Sequence, residues 1–131
     1  MPGPDPAHWL HRLTAAEWLA AAENELALAE AALARRALRP GVTYARRAAG
    51  MAWNAVLVAT PADEDRYGRS YMDHVHALAD GPDLPDELRQ AAQLLRDTSP
   101  TPPELVKLGP PEAAPARAAR AIVEHARARV G

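Results

Sequence analysis

The sequence contains no cysteine and no phenylalanine, and it has a single lysine against fourteen arginines. Without cysteine, disulfide bonds and thiolate metal sites are excluded. Aromatic residues make up only 5% of the chain, so the core must be filled mainly by smaller side chains. The net charge of -2 excludes a basic field over the whole molecule, so any contact with RNA has to be local.

The sequence has no apolar run long enough to cross a membrane, and its first residues lack the apolar segment of a signal peptide. We therefore expect a cytoplasmic protein without membrane contact. A length of 131 residues suggests one domain, and hydrophobic residues, many of them alanine, make up 48% of it. This composition predicts a thin, closely packed helical core rather than a disordered chain.

Apolar residues recur at helical spacing in several segments, and no segment shows the alternation that is typical of a strand. Thr14 with Glu17, and Ser70 with Asp73, have the pattern of capping boxes at helix starts. Pro40 and the glycine after it are predicted to end the first helix. We predict an all-α, up-and-down antiparallel bundle of about five helices over residues 13–131, after a lead segment at 1–12. A proline-rich loop at 98–115 is expected within the bundle.

Four segments of these predicted helices resemble HEPN domains. RAAGMAWNAVL at 47–57 resembles the family's Q-A-A-E-K-A-L-K-A-L-L segment, and HALADGPDLPDELRQAAQLL at 76–95 resembles its H-D-L segment with the following leucine-rich helix. AEWLAAAENELALAEAAL at 16–33 resembles the family's first helix, and the alanine-rich segment at 112–130 occupies the place of its last. The similarity spans roughly residues 13–130.

The resemblance implies a HEPN-like bundle of about five helices, usually a homodimer, in a prokaryotic setting beside small nucleotidyltransferases. Some members of the family are ribonuclease toxins of toxin–antitoxin pairs, whereas others lack the nuclease motif and bind nucleotides or assist a partner transferase. This chain departs from the family pattern where Gly50 and Met51 replace a glutamate and a lysine. Asn54 replaces a second lysine, and Ala77 replaces the aspartate after the histidine. These departures remove polar groups that would line a ligand pocket.

The segment GRSYMDHVHAL at 68–78 contains an arginine–histidine spacing that is similar to that of HEPN nucleases. Histidine can move the proton of a ribose 2′-hydroxyl near neutral pH, and arginine can hold the phosphate, without a metal ion. On a continuous helix, Arg69 and His74 would lie about 140° apart, whereas Arg69 and His76 would share a face. The candidate catalytic residues are therefore Arg69, His74 and His76, and the alternative is that all three are ordinary polar groups on a helix surface.

A second set of residues could contact a phosphate group in a groove. These candidate ligand-binding residues are Arg46, Arg47 and Asn54 of the second helix, together with His76. No metal site is expected, because His74 and His76 are two positions apart and do not face the same way on a helix. No sequence motif predicts a cofactor.

Three functions remain open after these observations. The leading interpretation is a non-catalytic, HEPN-like binding or accessory module for nucleotide, RNA or a nucleotidyltransferase partner. The second is a metal-independent endoribonuclease of the toxin type that uses the Arg–His pair. The third is a protein with a structural or interaction role alone. In each case we expect a homodimer, formed through helix faces that carry alanine and tryptophan.

Overall fold

A computed structural model describes residues 12–60, 64–68, 70–98 and 114–131. Its helices are α1 (Ala15–Ala34), α2 (Leu38–Ala59), α3 (Glu64–Tyr67), α4 (Tyr71–Asp80), α5 (Asp86–Asp97) and α6 (Ala114–Val130). The described residues contain no strand, and the five longer helices pack around one core. The prediction of an all-α bundle is confirmed. The predicted lead segment at 1–12, apart from its last residue, lies outside the described residues, as does most of the proline-rich loop.

Both predicted capping boxes form. The amide of Glu17 donates to Thr14 Oγ1 at 3.1 Å, and the Thr14 amide donates to Glu17 Oε1 at 2.9 Å. The amide of Asp73 donates to Ser70 Oγ at 2.9 Å, and the Ser70 amide donates to Asp73 Oδ2 at 3.2 Å. Each box satisfies two backbone N–H groups that have no partner within the helix, which fixes the starts of α1 and α4.

The predicted end of the first helix at Pro40 is wrong by several residues. The helix ends at Ala34, and Arg36 turns the chain with a φ of 62°. Pro40 lies instead in the first turn of α2. The N–H groups of a first turn have no partner within the helix, so a proline there costs no hydrogen bond. Pro115 occupies the same kind of position in α6, so the predicted loop at 98–115 ends before Ala114.

Ion pairs show how α6 lies against α1. Arg127 contacts Glu23 at 2.6 Å, and Arg120 contacts Glu30 at 3.3 Å. The residue numbers rise along α6 as they fall along α1, so the two helices are antiparallel. Helix α2 packs against α1, α4 and α6, and α5 packs against α4 and α6. The bundle is therefore organised around α2.

The core contains few large side chains, as the composition predicts. The largest that are fully buried are Trp53, Leu26, Leu57, Leu78, Leu88, Leu95 and Ile122. Trp18 is also buried within the protomer. Small residues on α2 allow close helix contacts: a Cβ atom at Gly50 would overlap with the side chain of Tyr71 on α4. This close approach brings Asn54 of α2 into contact with α4.

Candidate functional site

His74 lies at the contact between α2 and α4 and is fully buried. Its Nδ1 is 2.7 Å from the carbonyl oxygen of Tyr67, and its Nε2 is 2.7 Å from Oδ1 of Asn54. Asn54 is also fully buried, and Tyr67 is the last residue of α3. One imidazole therefore connects three helices, and the structure joins two residues that the sequence assigned to different candidate sites.

Burial lowers the pKa of His74, and the Tyr67 carbonyl and the charge of Asp73 oppose this effect more weakly. The neutral ring is thus favoured at neutral pH. A neutral ring with its proton on Nδ1 donates to the Tyr67 carbonyl and accepts at Nε2. Asn54 must then present its NH₂ group, with the amide turned over. As the amide is placed, Asn54 Nδ2 has no hydrogen-bond partner within the described part of the chain. Turning the amide over therefore breaks no hydrogen bond of Nδ2.

The candidate catalytic residues do not share one environment. His74 has both ring nitrogens in hydrogen bonds and no exposed surface. His76 lies two residues further along α4, is exposed, and is near enough to Asp97 to lower the pKa of that carboxyl, after the larger effect of Arg96. Arg69 lies outside the described residues. Among the three, only His76 is shown with a surface that a dissolved substrate can reach.

Arg46 acts on the end of α5. Its Nε donates to the carbonyl oxygen of Leu95 at 2.9 Å, and its Nη2 donates to that of Thr98 at 2.8 Å. These carbonyls end a helix and have no partner within it, so the guanidinium satisfies them and complements the negative end of the helix dipole. Partial burial lowers the pKa of Arg46. This structural role accounts for a residue that the sequence analysis assigned to ligand binding.

Arg47 pairs with a buried carboxylate. Its Nη2 lies 2.7 Å from Oε1 of Glu25, whose side chain is only 9% exposed, while the Arg47 side chain is 46% exposed. The burial of Glu25 could not be predicted from the sequence, because a glutamate within an alanine-rich helix gives no signal of its inward direction. The four candidate ligand-binding residues therefore lie in four different environments. The Arg46 side chain contacts the end of α5, and that of Arg47 contacts Glu25 of α1. Asn54 is in the core, and His76 is exposed on α4.

The structure brings exposed arginines together at one end of the bundle. This basic end comprises Arg35 and Arg36 after α1, Arg39 in the first turn of α2, and Arg117 in the first turn of α6. The antiparallel contact of α1 with α6 places the end of the first helix beside the start of the last. None of the four forms an ion pair with another described residue. The sequence separates Arg117 from the other three, so their clustering could not be read from one segment.

An open groove of about 570 Å³ lies along α6 and includes Glu87 of α5. Its charged lining mixes both signs, with Glu87 and Glu124 beside Arg117 and Arg120. Arg120 already pairs with Glu30. This mixture favours no particular charge on a ligand.

The described residues contain no group of three or more side chains that could hold a metal ion. None of the helices described is long and apolar enough to span a membrane.

Comparisons with models of protein families, with curated proteins and with solved structures found no match to this chain.

Proposed function

We propose that the protein is a non-catalytic, HEPN-like binding or accessory module that functions as a homodimer. Its ligand is RNA, a nucleotide or a nucleotidyltransferase partner, as the sequence resemblance implies. The observation that carries the non-catalytic part of the proposal is the burial of His74. Of the two histidines with a nuclease-like spacing from Arg69, His74 is part of the core.

A general base must come within hydrogen-bonding distance of the proton that it removes. His74 could meet this requirement only if α4 separated from α2, because its two nitrogens already contact Tyr67 and Asn54. Separation would also expose Asn54 and the surface around Gly50. The hydrogen bonds of His74 therefore favour a structural role for this residue.

The basic end supports a ligand that carries phosphate groups. Its four exposed guanidinium groups offer charge and paired donors that match phosphate oxygens. A local cluster of this kind is compatible with a net charge of -2, which excludes only a field over the whole surface. Among the three ligand classes, single-stranded RNA offers the most phosphates to such a cluster.

The first experiment tests for catalysis. Purified protein is incubated with a mixed RNA substrate in EDTA, beside the variants Arg69→Ala and His76→Ala. We expect no cleavage by any of the three proteins. Cleavage by the wild type that is lost in both variants would establish the alternative function, an endoribonuclease. That alternative is favoured by one observation, the exposure of His76.

The second experiment tests the basic end by fluorescence anisotropy with a labelled single-stranded RNA at several salt concentrations. In the double variant Arg39→Gln/Arg117→Gln we expect weaker binding. The slope of the logarithm of the binding constant against the logarithm of the salt concentration should become shallower by about one to two, because one to two phosphate contacts are lost. The control is Arg12→Gln/Arg127→Gln, which removes the same charge near the opposite end of α1 and α6. Equal weakening in both double variants would contradict the assignment to the basic end. Absence of both RNA and nucleotide binding would rule out these ligands and leave the partner protein.

A further inference from the structure

Most residues on both faces of helix α1 are apolar. Its inner face carries the buried residues Trp18, Ala22, Leu26, Ala29 and Leu33. The exposed residues after Trp18 are Ala20, Asn24, Ala27, Leu28, Glu30, Ala31 and Ala34. Glu30 is the one charged residue in that set, and it is paired with Arg120. A helix face that is mostly apolar is normally covered, yet here the outer face is exposed.

The outer face has the spacing of a helix–helix seam. Glu17, Ala20, Asn24, Ala27, Ala31 and Ala34 follow one another at alternating intervals of three and four residues. This is the heptad spacing by which one helix packs along another. Leu28 borders the seam and is 41% exposed, which makes it the most exposed large apolar side chain in the described residues. The alanines would allow the backbone of a second helix to approach closely.

The charges at the two ends of the seam indicate which helix fits. Glu17 lies at its start and Arg35 follows its end, and both are exposed. A second copy of α1 in the antiparallel direction would place Glu17 of each copy beside Arg35 of the other. Parallel copies would instead place Glu17 beside Glu17 and Arg35 beside Arg35, which is repulsive. The antiparallel arrangement also matches Ala20 with Ala31 and Asn24 with Ala27.

We infer that two copies of this chain associate through the outer face of α1, antiparallel, about a two-fold axis between Asn24 and Ala27. The sequence predicts a homodimer formed through faces that carry alanine and tryptophan, but Trp18 and Trp53 are buried within the protomer, so the exposed alanines remain available for association. A two-fold axis requires a patch that is complementary to itself, as this seam is. The inference rests on the homodimer of the proposed function but on none of its ligands.

Sedimentation velocity of the full chain over a wide concentration range tests the surface. The substitution Ala27→Glu introduces a charge at the centre of the seam without altering the core. We expect the dimer dissociation constant to rise about tenfold or more. Gln90→Glu adds the same charge at an exposed position of α5 and should leave association unchanged. If Ala27→Glu does not weaken the dimer, the interface does not lie on the outer face of α1, although the proposed homodimer stands.

Disulfide cross-linking tests the direction, and the absence of native cysteine makes it specific. A disulfide requires Cα atoms within about 7 Å of one another. In the antiparallel dimer, Ala20→Cys should pair with Ala31→Cys when the two variants are mixed and oxidised. Each variant alone should cross-link poorly, because equivalent positions are about 16 Å apart along the axis. Efficient cross-linking within each variant alone would indicate parallel helices and overturn the arrangement.

A protein that stays monomeric at every concentration would overturn both this inference and the proposed homodimer. The thiol reactivity of Ala27→Cys would then identify what lies on the face. Slow reaction with a maleimide would indicate that another segment of the same chain covers it, and fast reaction would indicate a free surface. The RNA-binding measurement is separate, so its failure would leave the dimer intact.

Discussion

Helix α2 contacts two of its neighbours, α4 and α1, by different means. Against α4 it presents Gly50, which allows close approach to Tyr71, and Asn54, which contacts the buried His74. Against α1 it makes a more extensive contact, which includes the Arg47–Glu25 ion pair at its edge. The α1 contact also has a glycine at a close approach, Gly41 against Leu33, but it extends over more residues, whereas the smaller α4 contact includes a fully buried polar pair. Single substitutions should therefore cost more at the α4 contact.

The two polar contacts also differ in how they respond to solvent. The His74–Asn54 contact is fully buried and its ring is favoured in the neutral form, so salt should have little effect on it. The Arg47–Glu25 pair has one half-exposed partner, so it is partly screened. The loss of a group from the first contact leaves buried polar atoms unsatisfied, which is the larger penalty.

The largest effect is expected from His74→Ala. It removes a fully buried ring together with its hydrogen bonds to the Tyr67 carbonyl and to Asn54, so we expect a loss of about 3–5 kcal/mol in the free energy of unfolding. Urea denaturation followed by circular dichroism measures this loss. His76→Ala is the matched control on the same helix, and its exposed position predicts a change within about 0.5 kcal/mol. Similar losses in both variants would contradict the structural role of His74.

A smaller loss is expected from Gly50→Ala. Alanine favours a helix over glycine by about 1 kcal/mol, but its Cβ would overlap with Tyr71, and overpacking costs about 1–3 kcal/mol. We expect a net destabilisation of up to about 2 kcal/mol, measured by the same denaturation. The nearest atom to the new Cβ is the Cβ of Tyr71, so the addition of Tyr71→Gly should remove the overlap, and the double variant should lose less than the sum of the single losses. A stabilised Gly50→Ala protein would show that propensity outweighs packing here.

The ion pair on the α1 side should contribute less. Arg47→Gln leaves the Glu25 carboxylate buried without its partner, which we expect to cost about 1–2 kcal/mol. The further change Glu25→Gln removes that charge and should recover part of the loss. Denaturation of the single and double variants at low and high salt tests both points. A single variant as stable as the wild type would show that water satisfies Glu25.

The helices could be predicted from the sequence because their signals are local. The capping residues Thr14 and Ser70 and the apolar spacing of α1 each lie within a few turns. The end of α1 could not, because Pro40 permits a helix to begin as readily as it stops one. The direction of Glu25 and the contact between His74 and Asn54 depend on how helices pack. Spacing alone therefore identified Arg69 and His74 as a candidate pair without revealing that His74 is buried.

The smallest expected effect is a change in the free energy of unfolding with pH, which arises from His74 and so distinguishes the α4 contact from the α1 contact. In the unfolded chain the pKa of His74 is about 6.5, and burial lowers it in the folded protein. As the pH falls below about 6.5, the unfolded chain binds a proton that folded His74 does not, so stability decreases. The contribution is fully present above that pH and is lost towards the lower folded pKa. One such group contributes a slope of at most about 1.4 kcal/mol per pH unit.

Urea denaturation between pH 5 and pH 8 tests this prediction. Asp83 and Asp97 do not interfere, because hydrogen bonds from Arg66 and Arg96 lower the pKa values of these carboxyls, which titrate below this window. His76→Ala should keep the slope, whereas His74→Gln should lose it. Stability that rises on acidification from pH 7 to pH 5 would require the folded protein to bind the proton more tightly than the unfolded chain. The imidazole between Asn54 and Tyr67 would then be charged, with both nitrogens donating to the oxygen atoms that face them.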